Sequence, residues 1–220
     1  MIRATRLAGI LVLVAVSFAK AQTSLISAQW TPPGSVPTTS GSGTLLIGNT
    51  IGLTTAAIGN AGAVFNWDWS ALPFANGLTL NNTTNSGIAI AVGGNSTATQ
   101  TLTFSSAISS PYLWFNYIDQ NTSFSFGSYD WTLLSANGAA RSGNSVNVTA
   151  SASNLADSGF LVRINQDFGP SSSLTFNYIS TSLASTSGFT VATVPEPSAL
   201  SLLAVGLGGL VLLRQGRKKD

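Results

Sequence analysis

The sequence contains no cysteine and no histidine, and only 7% of its residues are charged. Without cysteine no disulfide can form, so stability has to come from core packing and backbone pairing. Zinc lacks its usual nitrogen and sulfur ligands, and a serine nucleophile has no histidine to take its proton. These absences exclude a structural zinc site and the familiar catalytic triads.

Lysine and glutamate are confined to the two ends of the chain, with lysine at positions 20, 218 and 219 and glutamate at 196. Residues 22–193, called the body below, hold five aspartates and two arginines, a net charge of −3. Binding to nucleic acid needs a basic surface, so we expect no nucleic-acid partner. Two of the aspartates could in principle act as a pair in glycoside cleavage, but nothing in the sequence indicates that any two of them lie close together. We predict a protein with no catalytic residues and no cofactor.

The N-terminal segment is basic, then apolar, then rich in small residues. Arg3 and Arg6 precede the apolar run 7–19, and Ala19-Lys20-Ala21 has the form of a small-x-small cleavage site. This arrangement is typical of a secretory signal peptide. We predict a signal peptide over residues 1–21 that engages the general secretory translocon and signal peptidase.

The C-terminal segment has three parts in a fixed order. It begins with a short, proline-fixed motif, Val194, Pro195, Glu196, Pro197 and Ser198. The apolar run 199–213 follows and is about 22 Å long as a helix. This length nears the membrane-spanning minimum if Pro197 and Ser198 extend the helix and Arg214 snorkels. The chain ends in a basic tail that contains Arg214, Arg217, Lys218 and Lys219. The tail predicts a cytoplasmic C-terminus and a body outside the membrane.

This order of elements resembles the sorting signal of PEP-CTERM proteins, with the motif at 194–198, a transmembrane helix at 198–213 and a basic tail at 214–220. The resemblance implies processing by exosortase, a membrane cysteine protease of polymer-secreting bacteria. It further implies export across the inner membrane, transient anchoring there, and delivery to the cell surface or the extracellular space. Under this resemblance Glu196 is a recognition residue.

Within the body, apolar residues alternate with polar or small ones. The alternating sets are Leu102 with Phe104, Phe124 with Phe126, Val146 with Val148, Phe160 with Val162 and Ile164, Leu174 with Phe176 and Tyr178, and Phe189 with Val191. A period of two indicates half-buried strands. The nearly continuous apolar run 112–118 predicts a central strand covered on both faces.

Glycine- and asparagine-containing turns separate these strands, as at Asn137-Gly138 and Ser142-Gly143-Asn144. The pattern predicts an all-β fold, an antiparallel β-sandwich of jelly-roll type over residues 43–193. Residues 22–42 contain prolines and a Ser/Gly/Thr run without periodicity, so we expect a flexible segment there.

Two groups of residues suggest binding. If Trp67 and Trp69 lie on one strand, both indoles share a face and either stack on sugar rings or enter the core. The segment 119–121, with Asp130, offers oxygen ligands of the kind calcium uses, although ordinary turns explain these residues as well. We predict no metal site. We expect Trp114 to be a core residue, whereas the sequence does not decide whether Trp131 is buried.

Two functions are consistent with these observations. The first is a non-enzymatic protein of the cell envelope or extracellular matrix that exosortase sorts by its C-terminus. The alternative is a carbohydrate-binding module that retains secreted polysaccharide through Trp67 and Trp69.

Overall fold

The computed structural model describes residues 23–31, 40–45, 50–55, 64–66, 78–81, 86–149 and 158–194. In these residues the chain forms β-strands and no helix. The first eight strands are β1 (Thr23–Ser27), β2 (Gln29–Thr31), β3 (Ser40–Thr44), β4 (Thr50–Thr55), β5 (Val64–Asn66), β6 (Leu78–Asn81), β7 (Ser86–Val92) and β8 (Ser96–Phe104). The remaining eight are β9 (Tyr112–Asn116), β10 (Thr122–Ser125), β11 (Trp131–Asn137), β12 (Ala139–Ser142), β13 (Ser145–Val148), β14 (Gly159–Ile164), β15 (Ser173–Ser180) and β16 (Ser185–Thr193).

The strands form two sheets of eight. Sheet A has the order β11-β14-β9-β16-β1-β6, with β7 also paired to β16 and β5 paired to β7. Sheet B has the order β12-β13-β10-β15-β8-β4-β3-β2. Adjacent strands are antiparallel except β1 and β6, which are parallel. The prediction of an all-β fold with antiparallel sheets is therefore confirmed with that one exception, while the jelly-roll connectivity stays a prediction.

The two sheets share one hydrophobic core, and Phe115 of β9 lies at its centre. Its ring centroid is 4.5 Å from that of Phe124 and 5.3 Å from that of Phe176, both in sheet B. Within sheet A it is 4.6 Å from the ring of Phe160 and 5.1 Å from that of Phe189. All five rings are at most 1% exposed. The alternating residues named in the sequence thus meet across the two inner faces.

Strand β9 is buried on both faces, as the sequence predicted. All five of its residues are buried, and it lies between β14 and β16. Leu113 and Phe115 join the shared core, whereas Tyr112 and Trp114 belong to a second cluster with Leu25, Leu161 and Ala192 on the opposite face of sheet A. The prediction that Trp114 is a core residue is confirmed by its 2% exposure.

The prediction of a flexible segment over residues 22–42 is wrong where the structure describes it. Strands β1 and β2 lie inside this range, and β3 begins there. Leu25 is fully buried, and the buried Trp30 donates a hydrogen bond from Nε1 to Thr190 Oγ1 at 3.2 Å. Strands of three to five residues are too short to show a clear alternation of apolar and polar residues. The proline- and serine-rich composition therefore predicted a flexible segment where the chain forms strands.

The hairpin between β12 and β13 has the tight turn that its sequence predicts. Ser142 pairs with Ser145, so Gly143 and Asn144 form a two-residue loop. Gly143 has a φ of +57°, the left-handed region that glycine adopts without steric cost. A Cβ at this position would meet nothing within 4 Å, so only the backbone conformation requires glycine there.

We expect Gly143→Ala to lower the free energy of unfolding by about 1 kcal/mol, because alanine is strained in the left-handed region. Gly52→Ala is the matched control, since Gly52 lies in β4 with no atom within 4 Å of its added Cβ and no positive φ. Urea denaturation of both variants measures the difference. Equal stabilities would contradict the turn assignment.

We expect Phe115→Ala to lower the free energy of unfolding by about 3–5 kcal/mol, the usual cost of removing a buried ring from a packed core. The control is Leu183→Ala, because Leu183 is 80% exposed and its truncation should stay within about 0.5 kcal/mol. Denaturant titration followed by tryptophan fluorescence gives both values. A loss below about 1 kcal/mol for Phe115→Ala would show that the core is centred elsewhere.

Candidate functional site

A pocket lies at one end of the two sheets, between the loop that precedes β10 and the loop that joins β15 to β16. Its volume is about 400 Å³. The lining residues are Asp119, Gln120, Asn121, Ser182, Leu183, Ala184 and Ser185. The two loops are far apart in sequence and meet because β10 pairs with β15, with Thr122 opposite Ser180.

Hydrogen bonds tie the two loops together. The carbonyl oxygen of Asn121 accepts one bond from the backbone N–H of Thr181 and one from its hydroxyl, both at 3.0 Å. Thr122 Oγ1 donates to the carbonyl of Asp119 at 2.6 Å, and Ser180 Oγ donates to the carbonyl of Leu183 at 2.6 Å. The backbone of the pocket is therefore held in place by the protein's own contacts.

A third loop packs against the second of these two loops. Gly94 lies so close to the second loop that a Cβ there would be 2.7 Å from the carbonyl oxygen of Ser182 and 3.3 Å from the nitrogen of Ala184. Only glycine allows this approach, because the blocking atoms belong to backbone. The loop that contains Gly94 therefore packs directly against the backbone of residues 182–184.

A hydrogen-bond chain runs from the core to the pocket. Ser185 Oγ donates to Asp119 Oδ2 at 2.8 Å, so the hydroxyl of Tyr178 must donate to Ser185 Oγ, 2.5 Å away. Burial raises the pKa of Tyr178 well above its usual range, and the nearby Asp119 carboxylate adds to the effect. Tyr178 therefore keeps its proton and holds Ser185 and the Asp119 carboxylate in a fixed orientation.

The pocket lining combines a carboxylate, two amides and two serine hydroxyls with the exposed side chain of Leu183. It has no basic residue. Within the described parts of the chain, no three Asp, Glu, His or Cys side chains are grouped as a metal site would require. The arrangement can donate hydrogen bonds to a neutral polar ligand and accept hydrogen bonds from it.

The structure does not bring together the two aspartates that the sequence suggested as calcium ligands. Asp119 contacts Ser185 at the first residue of β16, whereas Asp130 follows β10 and its carbonyl accepts from the N–H of Asn165, 2.8 Å away. These two positions are at opposite ends of the sheets. Sequence reasoning found 119–121 but missed 182–185, because a Ser-Leu-Ala-Ser segment has no chemical signature of its own.

Trp131, left open by the sequence, is a core residue with 2% exposure. The guanidinium carbon of Arg141 lies 4.0 Å from the centroid of its ring, and Arg141 Nη1 donates to the Trp131 carbonyl at 3.1 Å. Arg141 thereby joins edge strand β12 of sheet B to edge strand β11 of sheet A. The candidate sugar-binding residues Trp67 and Trp69 lie outside the described residues.

The last described strand leads directly into the predicted sorting motif. Thr193 ends β16 and is buried opposite Ile26, and the next residue, Val194, is 37% exposed. The rest of the motif, 195–198, the predicted transmembrane helix and the basic tail lie outside the described residues. In the part of the chain that the structure describes, no helix has the length and apolarity to cross a membrane.

Comparison with known protein families identifies the segment that follows β16. Residues 193–218 match the family described as the PEP-CTERM protein-sorting motif. No curated protein and no solved structure matches the chain. The matched segment starts at Thr193, the last residue of β16. The motif implies an exported protein that is anchored in the membrane and sorted toward the cell surface by exosortase. We conclude that this chain carries a PEP-CTERM protein-sorting motif at residues 193–218, joined without a linker to a two-sheet β-domain.

Proposed function

We propose that the chain is a non-enzymatic protein of the cell envelope or extracellular matrix, released to its final location by exosortase processing near residues 195–198. Its body contains no histidine, lysine, cysteine or glutamate. Two of its aspartates act as hydrogen-bond acceptors for serines, Asp119 for Ser185 and Asp167 for Ser109. These contacts give structural roles to carboxylates that a hydrolase would need for chemistry.

The observation that carries this proposal is the direct junction between β16 and the sorting motif. Strand β16 pairs with β7 through residues 185–189, with β9 through 188–192 and with β1 at 192 and 193. The motif is therefore attached to a central strand of sheet A. Before processing, the folded domain has to sit at the membrane surface, held there through its own core strand.

The proposal includes a defined topology. Residues 1–21 act as the signal peptide, the translocon exports the body, and the 198–213 helix stops transfer. The basic tail, Arg214 to Asp220, stays in the cytoplasm by the positive-inside preference. Cleavage then frees the domain from the helix and the tail.

We expect Glu196→Ala to leave the chain in the inner-membrane fraction, because the recognition residue is lost while the apolar helix and basic tail are retained. The control is Gln215→Ala, a neutral polar change in the tail, for which normal release is expected. Fractionation of the native host followed by immunoblotting for the body measures both. Equal release of the two variants would contradict sorting through this motif.

A second candidate function, retention of secreted polysaccharide, is favoured by the outward surface of sheet B. Strands β8, β10, β13 and β15 contain no charged residue. Their inward residues are mostly apolar and lie in the core, and their outward residues are almost all threonine, serine or asparagine. The strand register aligns one row across all four strands, which consists of Thr99, Asn177, Ser125 and Ser145. We call these outward side chains the neutral face.

Side chains of the neutral face are paired across strands β8 and β15. Thr99 Oγ1 donates to Asn177 Oδ1 at 2.9 Å, and the hydroxyls of Thr103 and Ser173 are 3.1 Å apart. Hydroxyl groups can donate and accept, so they suit a partner that itself carries hydroxyls. A charged polymer finds no opposite charge here, whereas a neutral polysaccharide does not need one. Trp67 and Trp69 remain candidates for additional stacking contacts in this function.

We expect the triple variant Thr99→Val, Thr101→Val and Thr175→Val to reduce binding to a neutral polysaccharide about threefold or more, because valine keeps the shape but removes the hydrogen bonds. The control is Thr186→Val, an exposed threonine of β16 in sheet A. Retardation in native gels that contain galactomannan measures the affinity, with alginate as the charged comparison.

If the triple variant is retarded as strongly as the unmodified chain, the neutral face is excluded as the polysaccharide-binding surface. If retardation is lost only in a Trp67→Ala, Trp69→Ala variant, the binding surface is formed by the tryptophans instead. Absence of retardation for the unmodified chain would remove this second function and leave the sorting proposal unaffected.

A further inference from the structure

We infer that the pocket lined by Asp119, Asn121 and Leu183 is a binding site for a single neutral sugar residue, such as the end of a polysaccharide chain. The inference goes beyond the second candidate function, which assigns polymer retention to the neutral face, and does not depend on it. It concerns a different surface from the neutral face. The pocket lies at the end of sheet B where β10 begins and β15 ends.

The chemistry of the lining fits a sugar. The Asp119 carboxylate accepts from hydroxyl groups, and such charge-assisted bonds are the strongest that a neutral ligand can make. The amides of Gln120 and Asn121 both donate and accept, which matches hydroxyls in either role. Leu183 is 80% exposed and offers an apolar contact for the C–H face of a sugar ring. A volume of about 400 Å³ lies in the range of small-molecule pockets and exceeds what one sugar ring needs.

The site is fixed before a ligand arrives. Tyr178 and Ser185 orient the Asp119 carboxylate, and the double hydrogen bond from Thr181 fixes the backbone of Asn121. Asn121 has a φ of +62°, a conformation that few residues other than glycine and asparagine adopt readily. Side chains on a rigid backbone lose less conformational entropy on binding, so the pocket can hold a small polar ligand.

Other classes of ligand fit less well. Calcium takes six to eight oxygen ligands and usually several carboxylates, whereas the pocket has only Asp119, one of whose oxygens already accepts from Ser185. Anions are disfavoured by the same carboxylate, because the lining supplies no basic group to compensate it. A purely apolar ligand would leave the amides and hydroxyls unpaired.

The position of the pocket agrees with this use. Ser185 begins β16 and Thr193, where the sorting motif starts, ends it. Nine residues of strand separate the two by about 27 Å. The pocket is therefore at the end of the domain that points away from the membrane while the chain is anchored, where a secreted polymer is accessible.

The test is saturation-transfer NMR on the full chain in detergent micelles, with glucose, galactose, mannose, xylose and N-acetylglucosamine as probes. We expect signal transfer to at least one of these sugars with a dissociation constant of about 1 mM, because the lining offers one sugar few hydrogen bonds. Asn121→Gly keeps the positive φ and removes the amide, and should weaken binding about fivefold. Asp119→Asn and Leu183→Ser should weaken it to a similar extent.

Asn95→Gly is the matched control, because Asn95 also has a positive φ, of 48°, in an exposed turn and does not line the pocket. Its sugar binding should equal that of the unmodified chain. No transfer to any of the five sugars, or transfer that Asn121→Gly and Asp119→Asn leave unchanged, would overturn the inference. So would calorimetric binding of Ca²⁺ alone that Asp119→Asn abolishes, without sugar binding.

These outcomes are independent of the earlier tests. One outcome is that galactomannan retardation depends on the neutral face while the pocket binds no sugar. This outcome would refute the inference but would still support the retention function. Sugar binding that responds to Asn121→Gly, without galactomannan retardation, would confirm the pocket and refute the neutral face as the polymer surface.

Discussion

Contacts between Phe115 and the phenylalanine rings of the opposite sheet hold the two sheets together. A domain with no cysteine and few charged residues has no disulfide or charge network to fix its sheets, so their relative position is set chiefly by core packing. Phe115 contacts Phe124 and Phe176 of sheet B and two neighbours in sheet A. This packing fixes which strand ends lie together, and thus where the loops meet.

Strand β16 connects the core to the pocket at one end and to the sorting motif at the other. Its middle carries Phe189 and Val191 into the core, its first residue forms the hydrogen-bond chain with Tyr178 and Asp119, and its last residue starts the sorting motif. A single strand therefore joins the pocket, the core and the sorting signal. Changes that loosen β16 should affect the pocket and the anchoring junction together, since both are attached to this strand.

Much of the fold could be predicted because the alternation of large apolar and small polar residues is a local property of each strand. Phe124, Phe160 and Phe176 lie in the core as their spacing requires, and Trp114 is buried in the strand that the sequence marks as central. The sorting motif was also recognisable, since its order of proline, apolar run and basic tail is contiguous. Both kinds of signal need no knowledge of distant contacts.

The remaining features depend on contacts between distant parts of the chain. Strands β1 and β2 are short, and Trp30 is buried by Thr190 and Phe189, about 160 residues away in sequence. The pocket forms only because Thr122 pairs opposite Ser180, which no local pattern indicates. The same register separates Asp119 from Asp130, although the two lie close in sequence. Such features follow from sheet topology, which alternation alone does not determine.

We propose that exosortase processing of the C-terminus delivers the two-sheet domain to its destination. Mass spectrometry of the mature protein from the extracellular fraction of the native host tests it most directly. We expect a C-terminal peptide that contains β16 and ends within residues 195–198. An extracellular protein with an intact Lys219-Asp220 end would contradict it.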